Sequence, residues 1–161
     1  MSKRASQSWA PRGFTLIELV LVAATVAVMA AIAVPRMTSA SLSYRAEMAA
    51  RRIAADIELA RQEAMATSST RTLAFSAASL SYYVLESGSA DGGTGAYAVN
   101  LKQAPYEAAS MKVKFAAVPP PTVLKFDGFG KPNAGASIVV TAGGPSKTVA
   151  VDSHTGRAVV R

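Results

Sequence analysis

Gly13-Phe14-Thr15-Leu16-Ile17-Glu18 opens an apolar segment that continues without interruption to Val34. Within residues 14–34 the only charged side chain is that of Glu18. As a helix this segment would be about 31 Å long, which matches a bilayer hydrocarbon core of roughly 30 Å. A carboxylate in such a segment is costly and marks a functional position. The segment therefore predicts a membrane-spanning helix with one acidic residue near its start.

The residues before Gly13 are polar and basic, with Lys3, Arg4 and Arg12 and no acidic side chain. A secretory signal peptide also has a basic start, but its apolar region is only about 7–15 residues long. A plain signal anchor fits the length of the segment but leaves Glu18 unexplained. Neither class explains both the length of the segment and its acidic residue.

The stretch from Gly13 to Leu19 closely resembles the cleavage motif of type IV pilins and type II secretion pseudopilins. The resemblance implies that a prepilin peptidase cleaves after Gly13 and that the new amino terminus, Phe14, is N-methylated. It also implies that Glu18 of one subunit pairs with the Phe14 amine of a neighbour. In hydrocarbon such an ion pair costs less than either charge alone. The basic leader would stay cytoplasmic, so the chain after Val34 would be exported.

Three further residues of this region have expected local roles. Thr15 and Thr25 fit a helix if each hydroxyl bonds back to a preceding carbonyl. Pro35 follows the apolar segment directly, and proline removes a backbone donor and commonly kinks a helix. Pilins resemble this arrangement, so Pro35 is expected to kink the helix, to end the membrane span, or to do both.

Residues 35–66 predict a continuation of the helix that is now amphipathic. Glu47 with Arg51, and Arg52 with Asp56, are opposite charges four positions apart. The mixture of acids and arginines favours a solvated face over a nucleic-acid patch. Apolar residues recur at spacings of three and four, which predicts a stripe that packs on a sheet: Ala46, Ala49, Ile53, Ile57, Ala60 and Ala64.

From residue 67 to residue 161, glycine, serine and proline clusters separate short β-rich segments. Met111, Val113 and Phe115 alternate with Lys112 and Lys114, which predicts a half-buried strand with a basic outer face. The glycine-rich segment 88–95 predicts a loop without the context of a phosphate site. About seven or eight strands are predicted, and the last three form a closing meander: 72–75, 80–85, 97–101, 111–115, 123–126, 137–141, 148–151 and 158–160.

This pattern predicts an α+β fold, in which a long N-terminal helix packs on an antiparallel β-sheet domain. The first half of the helix is expected in the membrane, and the second half is expected to be amphipathic. The predicted organisation is a leader at 1–13, a transmembrane or filament-core helix at 14–34, an amphipathic helix at 35–66 and a β-rich globular domain at 67–161.

Composition argues against catalysis. The chain has 161 residues and no cysteine, which excludes disulfides and thiol chemistry. Its only histidine, His154, lies between Ser153 and Thr155 in a predicted turn, and adjacent turn residues rarely converge as a triad must. No metal-ligand spacing is present. We therefore expect no enzyme activity, no catalytic residue, no cofactor, no metal and no small-molecule substrate.

Several longer motifs are together similar to the GspH/FimT family. They are the leader, the helix at residues 49–64, Phe126-Asp127-Gly128-Phe129-Gly130, and Val149-Ala150-Val151 followed by Thr155-Gly156-Arg157. The family comprises minor pseudopilins of type II secretion and minor pilins of type IV pili. The resemblance implies a single-pass inner-membrane protein with a periplasmic C-terminal domain. Its implied partners are other pilin or pseudopilin subunits, the prepilin peptidase and membrane lipid.

Two functional hypotheses follow. The first is a minor pseudopilin, a structural subunit of a periplasmic pseudopilus in type II secretion. The alternative is a type IV minor pilin of the FimT kind, for which the family implies DNA capture in some members. The formal charge is +7, but without the leader, residues 14–161 carry 14 basic and 10 acidic side chains, or +4, which permits contact with nucleic acid or anionic lipid without arguing for either. Lys147, Arg157 and Arg161 would then contact DNA phosphates, and otherwise their charges protect an edge strand.

Overall fold

The computed structural model describes residues 13–85, 97–108 and 110–161. The basic residues of the predicted leader and the glycine-rich segment 88–95 lie outside the described residues. A single helix, α1, extends from Leu16 to Thr67. The chain divides into two compact units, Met1–Thr38 and Ser39–Arg161.

In the first unit, α1 leaves its apolar side chains exposed along its length. By length and composition, α1 meets the requirement for crossing a membrane, and its most apolar window is entirely unburied. The backbone remains helical through Pro35. This agrees with the prediction that the apolar and amphipathic segments belong to one continuous helix.

The described part of the second unit contains eight strands. This number confirms the sequence-based expectation, and the boundaries differ from the predicted ones by no more than about two residues. The strands are β1 Arg71–Ser76, β2 Ser81–Leu85, β3 Tyr97–Asn100, β4 Ser110–Phe115, β5 Val123–Phe126, β6 Ala136–Thr141, β7 Ser146–Val151 and β8 Ala158–Val160.

The strands form two four-stranded antiparallel sheets, ordered β3-β2-β1-β5 and β4-β6-β7-β8. Neighbours in sequence pair as hairpins in β1–β2 and in the β6–β7–β8 meander, which confirms the predicted closing meander. The chain also crosses between the sheets, since β4 pairs with β6 while β5 returns to β1. The division into two sheets is a feature that the strand pattern did not predict.

The hydrophobic core of the second unit lies between the amphipathic part of α1 and the strands. The predicted apolar stripe is confirmed, because all six of its residues, from Ala46 to Ala64, are fully buried. Leu73, Tyr82 and Leu124 of the first sheet and Ile138 and Val149 of the second sheet are also fully buried. Alanine has no side-chain atom beyond Cβ, so this face lets strands approach the helix closely.

Candidate functional site

Thr15 caps the amino-terminal end of α1. Its Oγ1 accepts a hydrogen bond from the backbone N–H of Glu18 at 3.3 Å, which makes Thr15 the N-cap of the helix. The predicted bond from the Thr15 hydroxyl to a preceding carbonyl concerns residues that lie outside the described ranges. The same prediction is confirmed for Thr25, whose hydroxyl donates to the Val22 carbonyl at 2.8 Å.

Glu18 lies in the first turn of α1. A negative charge is favourable there, because the first N–H groups of a helix have no intrahelical acceptor. Glu18 and Phe14 are both exposed, and Phe14 retains 80% of its accessible surface. A Cβ atom added at Gly13 would meet no atom within 4 Å. Packing within the described residues therefore does not require glycine at position 13.

Lys147 lies on the face of β7 that is turned towards α1. Its Nζ is 3.9 Å from Oε2 of Glu47. A hydrogen bond from Arg51, together with the charges of Arg51 and Lys147, lowers the pKa of Glu47. Lys147 alternates along β7 with side chains of the opposite face, as strand geometry requires. It therefore contributes to an ion-pair cluster on the helix.

Arg157 and Arg161 lie on the opposite face of the same sheet. The N–H and carbonyl of Arg161 exchange hydrogen bonds with the carbonyl and N–H of Thr148, at 2.8 and 3.0 Å. Paired residues point to the same side of a sheet, so Arg161 shares the side of Thr148 and not that of Lys147. The structure thus brings the two arginines to one surface and separates Lys147 from them.

The two arginines line an open groove of about 630 Å³ on the outer face of the second sheet, together with Lys114 of β4. Lys112 and Lys114 are exposed while Met111 is buried, which confirms the predicted basic face of this strand. Sequence reasoning missed that Lys114 belongs with Arg157 and Arg161. The alternation within β4 indicated an exposed basic face, but only the long-range pairing of β4 with β6 places that face in the same sheet.

The turn between β7 and β8 is held by Asp152. One oxygen, Oδ1, accepts hydrogen bonds from the backbone N–H groups of His154 and Thr155 and from the hydroxyl of Thr155, at 2.9, 2.7 and 2.9 Å. The bonds from Thr155 and His154 hold the pKa of Asp152 below its usual value. The hydroxyl oxygen of Ser153 lies 3.0 Å from Nδ1 of His154. Because the carboxylate bonds the backbone, it does not orient the imidazole as a triad acid would.

Asp56 is a buried carboxylate that the sequence assigned to the helix surface. It is only 4% exposed, and it accepts hydrogen bonds from the Tyr82 hydroxyl at 2.5 Å and from Nε of Arg52 at 3.1 Å. Burial raises the pKa of Asp56, although the bond from Tyr82 and the charge of Arg52 oppose that effect. The predicted Arg52–Asp56 pair is confirmed, and Tyr82 additionally links it to β2. This cluster joins α1 to the first sheet.

No group of three or more His, Cys, Asp or Glu side chains within the described ranges could hold a metal ion. The groove beside Arg157 and Arg161 brings these two cations and Lys114 to one concave surface.

Comparison with known proteins identifies relatives. A family model described as type II transport protein GspH matches residues 49–156. The chain is similar to a crystal structure, in space group P21, of the type IV minor pilin FimU from Pseudomonas aeruginosa strain PAO1. The identity is 17%, the TM-score is 0.50, and the match covers 72% of this chain and 87% of that chain. For a FimU crystal structure from the same strain in space group P65, the identity is 15% and the TM-score is 0.49. That match covers 71% of this chain and 91% of that chain.

A search of curated proteins found no match. At 17% identity the likeness to the P21 structure of FimU concerns the fold. It shows a pilin-like α+β architecture, in which one long N-terminal helix packs on antiparallel sheets.

Proposed function

The chain belongs to the GspH family, and on this basis we propose that it is a minor pseudopilin of the type II secretion system. In this role it is a structural subunit of a periplasmic pseudopilus, and it contacts other pilin or pseudopilin subunits. The first part of α1 anchors it in the inner membrane as a single pass, with the second unit in the periplasm. The family description, type II transport protein, supports secretion as the process served.

The observation that carries this proposal is the exposed apolar surface of α1 in the first unit. Leu16, Leu19 and Leu21 are 80%, 65% and 65% exposed in the isolated chain. An apolar surface of this extent must be covered, by lipid before assembly and by neighbouring helices in a filament. Glu18 is the one charge within this surface, so it gives the packing of helices a register.

Processing of the amino terminus is the second part of the proposal. A prepilin peptidase cleaves between Gly13 and Phe14, and the Phe14 amine is then N-methylated. The surroundings of Gly13 support this, because a peptidase needs access and no contact within the described residues explains the glycine. Pro35 lets the helix bend at the end of the membrane segment. The chain then consists of the leader 1–13, the anchor 14–34, the amphipathic helix 35–66 and the globular part 67–161.

Replacement of Glu18 tests the assembly role. We expect Glu18→Gln to be processed and inserted normally but to enter the pseudopilus about tenfold less, because the neighbouring Phe14 amine loses its counter-charge in an apolar surrounding. The measurement is the amount of the chain in purified filament or pseudopilin complexes relative to the amount in membranes. Thr25→Val is the matched control, since Thr25 is a polar residue of the same helix that bonds only its own backbone in the described structure.

Intact mass of the membrane form completes the test. The wild-type chain and Glu18→Gln should both lack residues 1–13 and carry one methyl group, whereas Gly13→Leu should retain the leader. Normal incorporation of Glu18→Gln would contradict the ion-pair role. A membrane form that still begins at Met1 would contradict the prepilin assignment.

The alternative function is a FimT-like type IV minor pilin that serves pilus assembly or DNA uptake. Its supporting observation is that Arg157 and Arg161 lie on one exposed face. Gel-shift of the full chain in detergent, at low and at high salt, tests it, since phosphate contacts weaken steeply with salt. Absence of a shift at low salt would rule out the DNA role.

A further inference from the structure

The outer face of the second sheet has a feature that membrane anchoring and helix assembly do not use. We propose that this face binds an extended, acidic polypeptide segment of a partner protein. The site is the groove with Lys114 of β4 on one rim and Arg157 and Arg161 beside β8 on the other, and Lys112 continues the first rim along the same face of β4. We call it the basic-rimmed groove. The proposal concerns the second unit alone and stands whether or not the assembly role of Glu18 is correct.

Strand register places the four cations on one face. In the sheet order, β4 and β8 are the outer strands, with β6 and β7 between them. The rims are therefore three strand spacings apart, or about 14 Å. One row of opposed residues crosses the sheet as Lys114, Ser137, Ala150 and Val159. The next row crosses it as Lys112, Val139, Thr148 and, through its backbone bonds, Arg161.

The floor of the groove suits a polypeptide backbone. Ser137 and Ala150 line the groove and are half-buried, short and uncharged, so a chain can pass over them, and the exposed side chain of Val159 beside them offers an apolar contact. The volume of about 630 Å³ falls in the range of sites that hold small ligands or short segments. Acidic side chains on either edge of such a segment would reach the two rims.

The rim cations are available for a partner. Within the described residues no ion pair is formed by the four cations of this face, Lys112, Lys114, Arg157 and Arg161. The charge of Arg157 does contribute to lowering the pKa of Glu58. The carboxylate of the groove, Asp152, already accepts three hydrogen bonds within its own turn. The groove is therefore a surface of net positive charge that is not neutralised from within.

The described part of a second copy of this chain has little to offer such a surface. Each side-chain carboxylate in the described part of the second unit already has a partner within the chain. Five form ion pairs, and two accept hydrogen bonds from residues of their own turns. They are Glu47, Asp56, Glu58, Glu63 and Glu107 in ion pairs, and Asp127 and Asp152 in turns. This charge balance favours a different, acidic protein as the occupant.

The floor also favours a peptide over a nucleic acid. Proteins that bind single strands stack the bases on exposed aromatic rings. Here the residues facing outwards between the rims are Ser137, Val139, Thr148 and Ala150, and none of them is aromatic. Phe115 of β4 lines the groove, but its side chain is half-buried and packs against the core.

Binding of a defined probe tests the proposal. The probe is a fluorescein-labelled peptide of alternating glutamate and alanine, titrated with the full chain in detergent micelles and followed by fluorescence anisotropy. A peptide of alternating glutamine and alanine is the probe control. We expect saturable binding of the acidic peptide only, and weaker binding as salt is added.

Two kinds of variant locate the binding. Lys114→Gln with Arg157→Gln removes one cation from each rim and should weaken binding about fivefold. Lys102→Gln with Lys125→Gln removes the same charge from exposed positions elsewhere and should change binding less than about twofold. Ala150→Trp fills the floor without changing the charge and should also weaken binding about fivefold. Circular dichroism of each variant checks that the fold is kept.

Four results would overturn the proposal. The first is no binding of the acidic peptide at low salt, and the second is an equal loss in the rim pair and the control pair. The third is rim-dependent binding of a labelled oligonucleotide without binding of the peptide, which would assign the groove to nucleic acid. The fourth is a rim-dependent signal when unlabelled chain is added to labelled chain, again without peptide binding, which would assign it to a second copy.

Discussion

At the scale of single residues, Asp56 shows how a buried charge is retained. A carboxylate that is almost fully removed from water needs partners that satisfy its oxygens. Arg52 provides one from the same helix, and Tyr82 provides the other from β2. Burial and the adjacent carboxylate raise the pKa of Tyr82, so its hydroxyl keeps the proton that it donates.

Removal of that hydroxyl tests the link between helix and sheet. Tyr82→Phe should lower the free energy of unfolding by about 1–3 kcal/mol, because Asp56 loses a buried donor. Tyr44→Phe is the matched control at a position that is 66% exposed, and it should change the free energy of unfolding by less than about 0.5 kcal/mol. Urea unfolding followed by circular dichroism measures both. Equal effects would contradict the role of the Tyr82–Asp56 bond.

The free energy of unfolding is expected to depend on pH through Asp152. Its pKa is lower in the folded chain than in the unfolded chain, owing to the bonds from Thr155 and His154. The stability it contributes is therefore fully present above the unfolded pKa and is lost as pH falls through the folded pKa. Asp152→Asn keeps an oxygen acceptor but cannot titrate.

We expect the melting temperature of wild type to fall more steeply than that of Asp152→Asn as pH is lowered below the ordinary range for aspartate, about 4. Thermal melts over a pH series, with Asp127→Asn as a second turn variant for comparison, measure the difference. Parallel curves for wild type and Asp152→Asn would show that the turn does not shift the pKa in the folded state.

At the scale of elements, α1 combines two surfaces of different purpose. Its second half has a stripe of alanine and isoleucine that is fully buried against the strands, while its outer side carries ion pairs such as Arg51 with Glu47. Loops also pack closely on this half. A Cβ added at Gly130, where φ is +76°, would lie 2.8 Å from the sulfur of Met65. The helix thus organises the second unit.

Truncation of the stripe tests its contribution. Ile57→Ala should lower the free energy of unfolding by about 2–5 kcal/mol, since the side chain is fully buried and its removal leaves a cavity. Leu59→Ala, two residues along the same helix and 41% exposed, should cost less than about 1 kcal/mol. Urea unfolding midpoints of the two variants provide the measurement. A cost for Leu59→Ala that equals the cost for Ile57→Ala would mean that the stripe is not the packing face.

At the scale of the whole molecule, the two units have different requirements. The described part of the first unit exposes a nearly uninterrupted apolar surface, which fits a single-pass membrane anchor. The second unit has its own core, built from the helix stripe and both sheets. This division predicts that the second unit does not depend on the first unit for its fold.

We expect residues 39–161, expressed alone, to be soluble, monomeric and cooperatively folded. The full chain without detergent is the comparison and should aggregate through its apolar helix. Size-exclusion chromatography and thermal unfolding by circular dichroism measure the two properties. An aggregated fragment, or one without a cooperative transition, would contradict an independent second unit.

The amino-acid sequence by itself determined the features that depend on local periodicity. The uninterrupted length of residues 14–34, the spacing of the stripe from Ala46 to Ala64 and the alternation within β4 each reflect neighbouring positions along one element. The leader motif is likewise a contiguous stretch. For that reason the helix, its two-part character, the number of strands and the family could all be inferred.

Only the tertiary structure decided which distant residues meet. Pairing of β5 with β1 and of β4 with β6 divided the strands into two sheets, placed Lys114 on one face with Arg157 and Arg161, and turned Lys147 towards Glu47. It also buried Asp56 beneath Tyr82. The physical reason is that strand partners and register depend on loop closure and on packing across the core, whereas the pattern within a strand specifies only which side chains alternate.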